Sequence, residues 1–162
     1  MAFAQFAIVV LSLALAGCGF HLRGKATYTF TTIAVNAPSA PALATQLRRA
    51  LDETGSAKVV DAKDAQVILD IPTVADDKEV LSLSGAGSVQ EYLLVKRVGF
   101  RLHDAQGNDW LPPAEISVRR SYTFSESEVL ARGTQEQQLL KEMQSDVVQQ
   151  LIRRLQAAKK PA

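Results

Sequence analysis

The residue with the clearest potential for chemistry is the only cysteine, Cys18. It follows the apolar stretch 6–16, which at about 11 residues is too short to span a bilayer but suits the core of an export signal. The end of this stretch and the two residues after it, Leu15-Ala16-Gly17-Cys18, match a lipobox. In a lipobox, small residues fit the peptidase cleft and the cysteine thiol accepts a diacylglycerol. Although residues 1–5 lack the usual Lys or Arg, we expect cleavage of residues 1–17 and a covalent lipid on Cys18, with no other cofactor.

Two cations stand where apolar residues are expected. Lys96 and Arg120 each lie in the middle of an otherwise apolar face of a segment with a period of two. If the turn between these segments is centred near Asn108, the two cations are neighbours across a hairpin, and an unpaired buried charge is costly. Two explanations remain open. A bulge at Pro112-Pro113 or the extended aliphatic stems bring the charges to solvent, or the pair binds an anion such as phosphate.

The other candidates for catalysis or metal binding are two histidines, His21 and His103. Neither has a cysteine or a second histidine at metal-ligand spacing, and no nucleophile elbow, His-Glu-x-x-His motif or phosphate-binding loop is present in the sequence. We interpret each histidine as a polar residue with satisfied hydrogen bonds and predict that the protein is not an enzyme. A net charge of +1 also argues against a nucleic-acid partner.

The first part of the mature chain predicts a strand followed by a helix. Residues 28–36 are rich in aromatic and β-branched types, which favour a strand. Ser39 suits a helix N-cap with Pro41 in the first turn, and Gly55 suits a left-handed cap at the helix end. Helical spacing between these limits is kept by Leu43, Leu47, Ala50, Leu51 and Thr54.

The next stretch predicts one strand and a long loop. Residues 65–74 form a nearly continuous apolar segment, in which Pro72 indicates an edge or a bulge. Segment 76–90 is polar and contains glycines, so we predict mostly loop, with a short strand at 80–83 as an option. Gly85-Ala86-Gly87 lacks the third glycine and the Lys-Ser/Thr pair of a phosphate-binding loop.

Two segments with clear period two predict an antiparallel hairpin. Residues 92–102 and 116–124 flank the turn signal 104–109, and Pro112-Pro113 leaves the register open. The opposite faces of these segments carry Arg97, Arg101 and Arg119, which indicates an ordinary solvated surface.

The C-terminal segment predicts a long amphipathic helix. Thr134 and Gln137 have the spacing of a capping box, which places the helix start at Thr134. The apolar stripe is wide enough for a helix that lies on a sheet. It comprises Leu140, Met143, Val147, Leu151 and Leu155, widened by Leu139, Val148 and Ile152.

This order of elements predicts an α+β fold, with two amphipathic helices on one face of a four-stranded mixed or antiparallel sheet. Residues 1–17 form the cleaved signal and 18–27 the lipidated tether. Residues 28–158 form a single domain, and 159–162 a short tail.

Several motifs resemble the LptE family of lipopolysaccharide-assembly lipoproteins. The predicted mature N-terminus, Cys18-Gly19-Phe20-His21-Leu22-Arg23-Gly24, is similar to that of the family. The further matches, in the family's order and spacing, are Glu91-Tyr92, Arg120-Ser121-Tyr122, Leu130-Ala131-Arg132, Leu140-Lys141-Glu142-Met143 and Gln150-Leu151-Ile152-Arg153-Arg154-Leu155. The resemblance therefore extends over nearly the whole chain.

The resemblance implies a partner, a ligand and a location. LptE-like proteins sit inside the outer-membrane β-barrel LptD as plug and assembly aid, and the pair delivers lipopolysaccharide to the outer leaflet. A basic residue just before the last helix is implicated in lipopolysaccharide contact, and Arg132 matches it, with Lys96 and Arg120 as further candidates for lipid A phosphates. By resemblance to enterobacterial lipoproteins, Gly19 instead of Asp predicts sorting to the outer membrane, with the domain on the periplasmic face.

One departure and two rival classes accompany this resemblance. Where some relatives carry an arginine before the Glu-Tyr pair, this chain has Gly85-Ala86-Gly87, so the second basic point is not matched. An unrelated periplasmic binding or inhibitor lipoprotein would share the anchor and the α+β core. An anchored hydrolase is the weaker rival, because nucleophile and metal motifs are missing from the sequence.

Overall fold

The structure, a computed structural model, describes residues 27–123 and 129–161, and of residues 129–134 only the backbone. The export signal, Cys18 and His21 lie outside the described residues. The elements, in chain order, are β1 (Thr32–Asn36), α1 (Pro41–Thr54), β2 (Lys58–Val59), β3 (Val67–Leu83), β4 (Val89–Asp104), β5 (Asp109–Thr123) and α2 (Val129–Ala157), with a 3₁₀ turn at Ala62–Asp64.

The strands form one mixed sheet in the order β2-β1-β3-β4-β5. β1 is parallel to β2 and β3, whereas β3, β4 and β5 form an antiparallel meander. Apolar side chains of both helices and of one sheet face join in a single core cluster. The predicted α+β class and the two helices are confirmed. The prediction of four strands is wrong by one, because Lys58–Val59 is too short to show a period of two.

The start of the fold differs from the prediction in two details. The first strand begins at Thr32, not residue 28, since Phe30 leaves the ladder and packs in the core, edge-to-face with Trp110. The N-cap of α1 is Ala40, without a side-chain cap bond, and not Ser39. Gly55 ends the helix in the left-handed region with φ of 65°, as predicted.

β3 is a 17-residue strand, so the prediction of a loop over 76–90 is wrong. Pairing with β4 continues to Leu83, and this pairing supplies the backbone hydrogen bonds that the polar sequence alone does not predict. The register shifts between Asp70 and Thr73, which confirms the bulge at Pro72. β1 pairs with β3 only as far as Asp70, so beyond the bulge the outer edge of β3 has no described partner strand.

The β4–β5 hairpin is confirmed, but its register differs from the predicted one. Both strands are longer than expected, and the ladder shifts between Phe100 and His103, close to Pro112-Pro113. As a result Lys96 pairs with Val118, and Arg120 pairs with Leu94. The two cations share a face of the hairpin but are not directly opposite, so the predicted side-by-side placement is wrong.

α2 begins at Val129 and has 29 residues. Thr134 is therefore inside the helix and is not its cap. The helix-favouring Leu130-Ala131-Arg132 extends it backwards, although Gly133 costs about 1 kcal/mol relative to alanine. The predicted stripe is confirmed, with Leu139 and Leu140 partly buried at its start. The fully buried members are Met143, Val147, Leu151 and Leu155.

Candidate functional site

Lys96 is the one charged side chain of the described residues that is buried, at 4% exposure. The ladder places it opposite Asp76 on β3, and its Nζ lies 2.5 Å from Asp76 Oδ1. The carboxylate is half exposed, so the pair joins a buried ammonium to the surface. The buried charge of Lys96 is therefore balanced by a carboxylate of the protein itself, Asp76, which neither explanation from the sequence includes.

Arg120 is exposed on β5, the edge strand of the sheet. Its Nη2 donates to Asp146 Oδ2 on α2, and its Nη1 donates to the carbonyl of Arg119 at 3.0 Å. The Asp146 bond fixes the guanidinium between strand and helix, while the remaining N–H groups of its five donors are left for other acceptors.

A groove of about 520 Å³ lies between the outer edge of β5 and α2. Its cationic side chains are Arg120 and Arg153, its only acidic one is Asp146, and neutral donors come from Gln149 and Gln150. Arg119 also lines it, but alternation along β5 places that side chain on the sheet face away from α2. Arg119 and Arg153 are exposed, and no carboxylate among the described residues pairs with either.

Arg132 lies in the first turns of α2, and not in a loop before the helix as the sequence predicted. Its side chain is outside the described part of the chain. Arg132, Arg120 and Lys96 stay predictions as lipopolysaccharide-binding residues, and of these the structure places Arg120 in the β5–α2 groove and Lys96 in the core.

A polar and aromatic cluster fastens the β3–β4 hairpin to α2. Lys78 Nζ and the Tyr122 hydroxyl both donate to Glu136 Oε2, each at 2.5 Å. The ammonium also lies 4.3 Å from the centroid of the Tyr92 ring, and the two tyrosine rings are 5.7 Å apart. We call these four residues the hairpin clamp.

The clamp shifts the pKa values of its members. The hydrogen bonds from Lys78 and then Tyr122 lower the pKa of Glu136, and the hydrogen bond to Glu136 raises the pKa of Lys78. Burial is the main cause that raises the pKa of Tyr122. Near neutral pH the clamp is therefore held as carboxylate, ammonium and neutral phenol.

Beyond the clamp the β3–β4 hairpin ends in an exposed apolar tip. In the described part of the chain, the exposed large apolar side chains are Val80, Leu81 and Leu83, each open over half its surface or more. The neighbouring Glu79 is exposed and has no described ion-pair partner. We call Val80, Leu81 and Leu83 the apolar tip.

His103 is confirmed as a polar residue with satisfied hydrogen bonds. Nε2 lies 2.8 Å from Asp70 Oδ2, and Nδ1 lies 2.7 Å from the carbonyl of Asp104. Asp70 in turn accepts a hydrogen bond from the Asn36 amide. Each ring nitrogen therefore has a hydrogen-bond partner within the fold.

The described ranges are residues 27–123 and 129–161. No helix in these ranges is both long and apolar enough to cross a bilayer. The same ranges hold no group of three or more His, Cys, Asp or Glu that could bind a metal ion.

A comparison with protein families decides what kind of protein carries these features. The model of the LptE family, described as lipopolysaccharide-assembly, matches residues 30–155, which is well over half of the chain. The chain belongs to the LptE family. The resemblance inferred from the sequence motifs is thereby confirmed.

Individual relatives agree with membership of the LptE family. The chain is 27% identical over 157 residues to the LPS-assembly lipoprotein LptE of Pectobacterium atrosepticum, covering 91% of this chain and 83% of the relative. The solution structure of lipoprotein B from Nitrosomonas europaea is 36% identical, with a TM-score of 0.74 over 86% of this chain and 91% of that one. Rare lipoprotein B from Shewanella oneidensis is 26% identical, with a TM-score of 0.67 over 78% and 95%.

Sequence reasoning missed the partners of the cations in this LptE-family chain. The sequence predicts a loop at Asp76, which pairs with Lys96. A charged run such as residues 76–79 is, however, also a signal for ion pairs between neighbouring strands. Asp146 and Arg153 face β5 from α2, and only the packing of the helix reveals this. The apolar tip has a signal in the sequence, the pattern Val80-Leu81-Ser82-Leu83, which predicts only an optional short strand.

Proposed function

We propose that this protein is a lipid-anchored outer-membrane lipoprotein on the periplasmic face that plugs and helps to assemble an LptD-like β-barrel. In this role it binds lipopolysaccharide during transport to the outer leaflet and catalyses no reaction. The observation that carries the proposal is the match of residues 30–155 to the lipopolysaccharide-assembly family. The lipobox at Cys18 supports the anchor.

The placement of the apolar tip supports a barrel partner. Thr29 Oγ1 donates to the carbonyl of Ala158 at 2.9 Å, so the described N-terminal end lies beside the end of α2. Glu136, near the start of α2, contacts the hairpin at the clamp, about 33 Å away along the helix at 1.5 Å per residue. The tip therefore projects from the end of the domain opposite the side to which Cys18 is connected.

The charges around the tip favour a protein surface over an anionic lipid as its occupant. Lys78 is neutralised by Glu136, while Glu79 beside the tip has no described cationic partner. Exposed apolar side chains at the end of a hairpin are a feature of interaction sites. We assign the tip to the apolar part of the barrel partner's inner surface.

Co-purification tests the barrel partner. The tagged full-length chain is isolated from detergent-solubilised outer membranes, and we expect a large, heat-modifiable β-barrel to accompany it. A double variant, Leu81→Asp with Leu83→Asp, should lose most of this partner because two buried contacts become charged. The matched control is Ala105→Asp with Gln106→Asp, which adds the same two charges to the exposed β4–β5 turn at the other end of β4.

The co-purification results for the wild type and the two double variants distinguish three possibilities. Partner loss in the tip variant with retention in the turn variant supports the docking assignment. A wild-type chain that is purified alone would favour a free-standing periplasmic binder. Retention of the barrel by the tip variant would show that docking uses another surface.

A further inference from the structure

The outer edge of β3 is unpaired over most of its length. β1 pairs with β3 only at residues 67–70, whereas the strand continues to Leu83. On the side away from β4, no backbone group of residues 73–83 has a described hydrogen-bond partner. None of these residues is proline, so each has an N–H donor and a C=O acceptor. Because alternate residues of an edge strand face outward, about half of these groups are open to a further strand.

The charged side chains of this edge are used within the molecule. Exposed edge strands are often protected by free charges, which disfavour pairing with another strand. In the run 76–79, three of the four charges have partners on β4 or α2, namely Asp76 with Lys96, Asp77 with Arg97 and Lys78 with Glu136. Glu79 is left without a described ion-pair partner. The edge therefore carries little free charge.

The edge on the other side of the meander, formed by β5, is protected in the usual way. It contains Pro112-Pro113, which lack N–H donors, and the exposed Arg119, which has no described carboxylate partner. Residues 73–83 of β3 contain no proline, and their one cation, Lys78, is paired. Of these two edges, that of β3 is therefore the one suited to the addition of a strand.

The apolar tip belongs to the same strand and continues this edge. A segment placed beside residues 73–83 would bring its own side chains alongside Val80, Leu81 and Leu83 and would remove apolar area from water. In strand addition the main-chain hydrogen bonds give affinity, and pockets for alternate side chains give specificity. The edge and the tip together thus form one continuous surface for an extended polypeptide segment.

From these observations we propose that residues 73–83 of β3 are a strand-addition site, at which an extended segment of the barrel partner joins the sheet. This rests on the proposed function and specifies how the barrel is bound, through main-chain hydrogen bonds along β3 as well as side-chain contacts at the apolar tip. The strands of a closed barrel wall have no free edge, so the added segment belongs to a part of the partner outside that wall.

Hydrogen–deuterium exchange tests the strand addition directly. The full-length, detergent-solubilised protein is measured alone and in its co-purified complex with the barrel. Outward amides of an unpaired edge exchange quickly, and a hydrogen bond to an added strand slows them. We expect about half of the amides of residues 73–83 to exchange at least tenfold more slowly in the complex. The internal control is residues 115–123 of β5, whose amides should change less than twofold.

Two double variants test the same edge by charge. Thr73→Lys with Ala75→Lys places two free cations on the β3 edge, and the matched control, Ser117→Lys with Ser121→Lys, places them on the β5 edge. Ala75 and Ser117 both pair with Arg97, one from each side, so the added charges have a similar setting. We expect the β3 variant to lose the barrel severalfold in co-purification and the control to stay within twofold of the wild type. Urea midpoints verify that both variants are folded.

Other results would overturn strand addition. Slowed exchange confined to residues 80–88, or a β3 variant that keeps the barrel, would mean that the barrel contacts the tip alone, and the proposed function would stand. Amides of β3 that already exchange slowly in the barrel-free protein would mean that this chain or a second copy covers the edge. Equal slowing in β3 and β5 would reduce the effect to general shielding. A wild type that is purified without a barrel would contradict the proposed function itself.

Discussion

At the scale of single residues, the cations of this protein fall into two groups. Lys96 is enclosed in the core and balanced by Asp76, so its charge is used within the fold. Removing one member of such a pair leaves the other charge without compensation, which is more costly than never having had the pair. Arg119 and Arg153 are exposed and lack described carboxylate partners, so their charges are solvated. The distinction comes from cross-strand and helix–strand contacts that residue type alone does not define.

The anchor is tested at Cys18. Because this is the only thiol and it ends a lipobox, Cys18→Ala should abolish fatty-acid incorporation. The variant should be found as a soluble periplasmic form or with its signal uncleaved. Labelling with radioactive palmitate measures this directly, with Ser12→Ala in the export signal as the control. Undiminished labelling of the Cys18→Ala chain would refute the lipobox interpretation.

A second prediction at this scale concerns Arg132. If its guanidinium contacts a lipid A phosphate, Arg132→Glu replaces an attraction with a repulsion and should weaken lipopolysaccharide binding at least tenfold, or about 1.4 kcal/mol. The loss should shrink with added salt, since exposed charges are screened beyond about 8 Å at physiological ionic strength. Equilibrium binding to the folded variant measures the effect, with Arg49→Glu on α1 as the control. Unchanged affinity would leave Arg132 as an ordinary solvated residue.

At the scale of elements, most of the architecture follows from periodicity. The apolar stripe of α2 and the period-two faces of β4 and β5 predicted their burial, since an amphipathic face has to be covered. Two elements did not follow. The middle of β3, residues 76–79, is charged on both faces and is held by pairing with β4, and β2 is only two residues long. Pairing energies between distant segments are not encoded in the composition of either segment.

The register of the hairpin shows the same limit. A turn centred near Asn108 would have placed Lys96 opposite Arg120. The turn is instead centred at Gln106, as the pair of His103 with Asp109 shows, and the shifts between Phe100 and His103 bring the partner of Lys96 only to Val118, two residues short of Arg120. A shift of this size changes a candidate anion site, although every strand face is assigned correctly. Site geometry is therefore less predictable from sequence than fold class.

The packing of α2 on the sheet is tested by Leu151→Ala. This side chain is fully buried in the core cluster, so its truncation removes apolar contacts and leaves a cavity. We expect a loss of about 2–5 kcal/mol in the free energy of unfolding. Urea denaturation measures it, and Gln149→Ala on the exposed side of the helix should change little by comparison. A loss below about 0.5 kcal/mol would mean that α2 does not cover the core.

The hairpin clamp predicts a specific pH dependence. A carboxyl whose pKa is lowered on folding contributes stability above its ordinary pKa of 4.5, and this is lost as pH falls through the lowered value. The raised pKa of Lys78 has the opposite sign, so its contribution is present below 10.5 and is lost as pH rises through the raised value. The clamp is therefore complete around neutral pH.

Replacing Glu136 with Gln removes the acidic limit of the clamp. Wild-type protein should be more stable than Glu136→Gln at pH 7, and the difference should decrease as the carboxylate is protonated below about pH 4. Urea midpoints at pH 7, 4 and 3 measure it, with Glu142→Gln, farther along α2, as the control. A difference that stays constant over this range would mean that the charge of Glu136 does not stabilise the hairpin.

At the scale of the whole molecule, the features that concern partners are separated in space. The described N-terminal end, which continues from Cys18, lies beside the end of α2, and the apolar tip lies at the opposite end. The β5–α2 groove lies along the free edge of β5. The proposed lipid anchor and the proposed barrel contact therefore belong to opposite ends of the domain.

If this protein plugs and helps to assemble an LptD-like barrel, lipopolysaccharide reaches the outer leaflet only when the protein is present. The most direct measurement is the amount of newly made, pulse-labelled lipopolysaccharide that becomes accessible at the cell surface after the protein is depleted, compared with cells that express a plasmid copy. We predict that surface-accessible lipopolysaccharide falls severalfold on depletion and is restored by the wild-type copy but not by the Leu81→Asp/Leu83→Asp variant. Arrival of lipopolysaccharide at the undiminished rate in depleted cells would contradict the account.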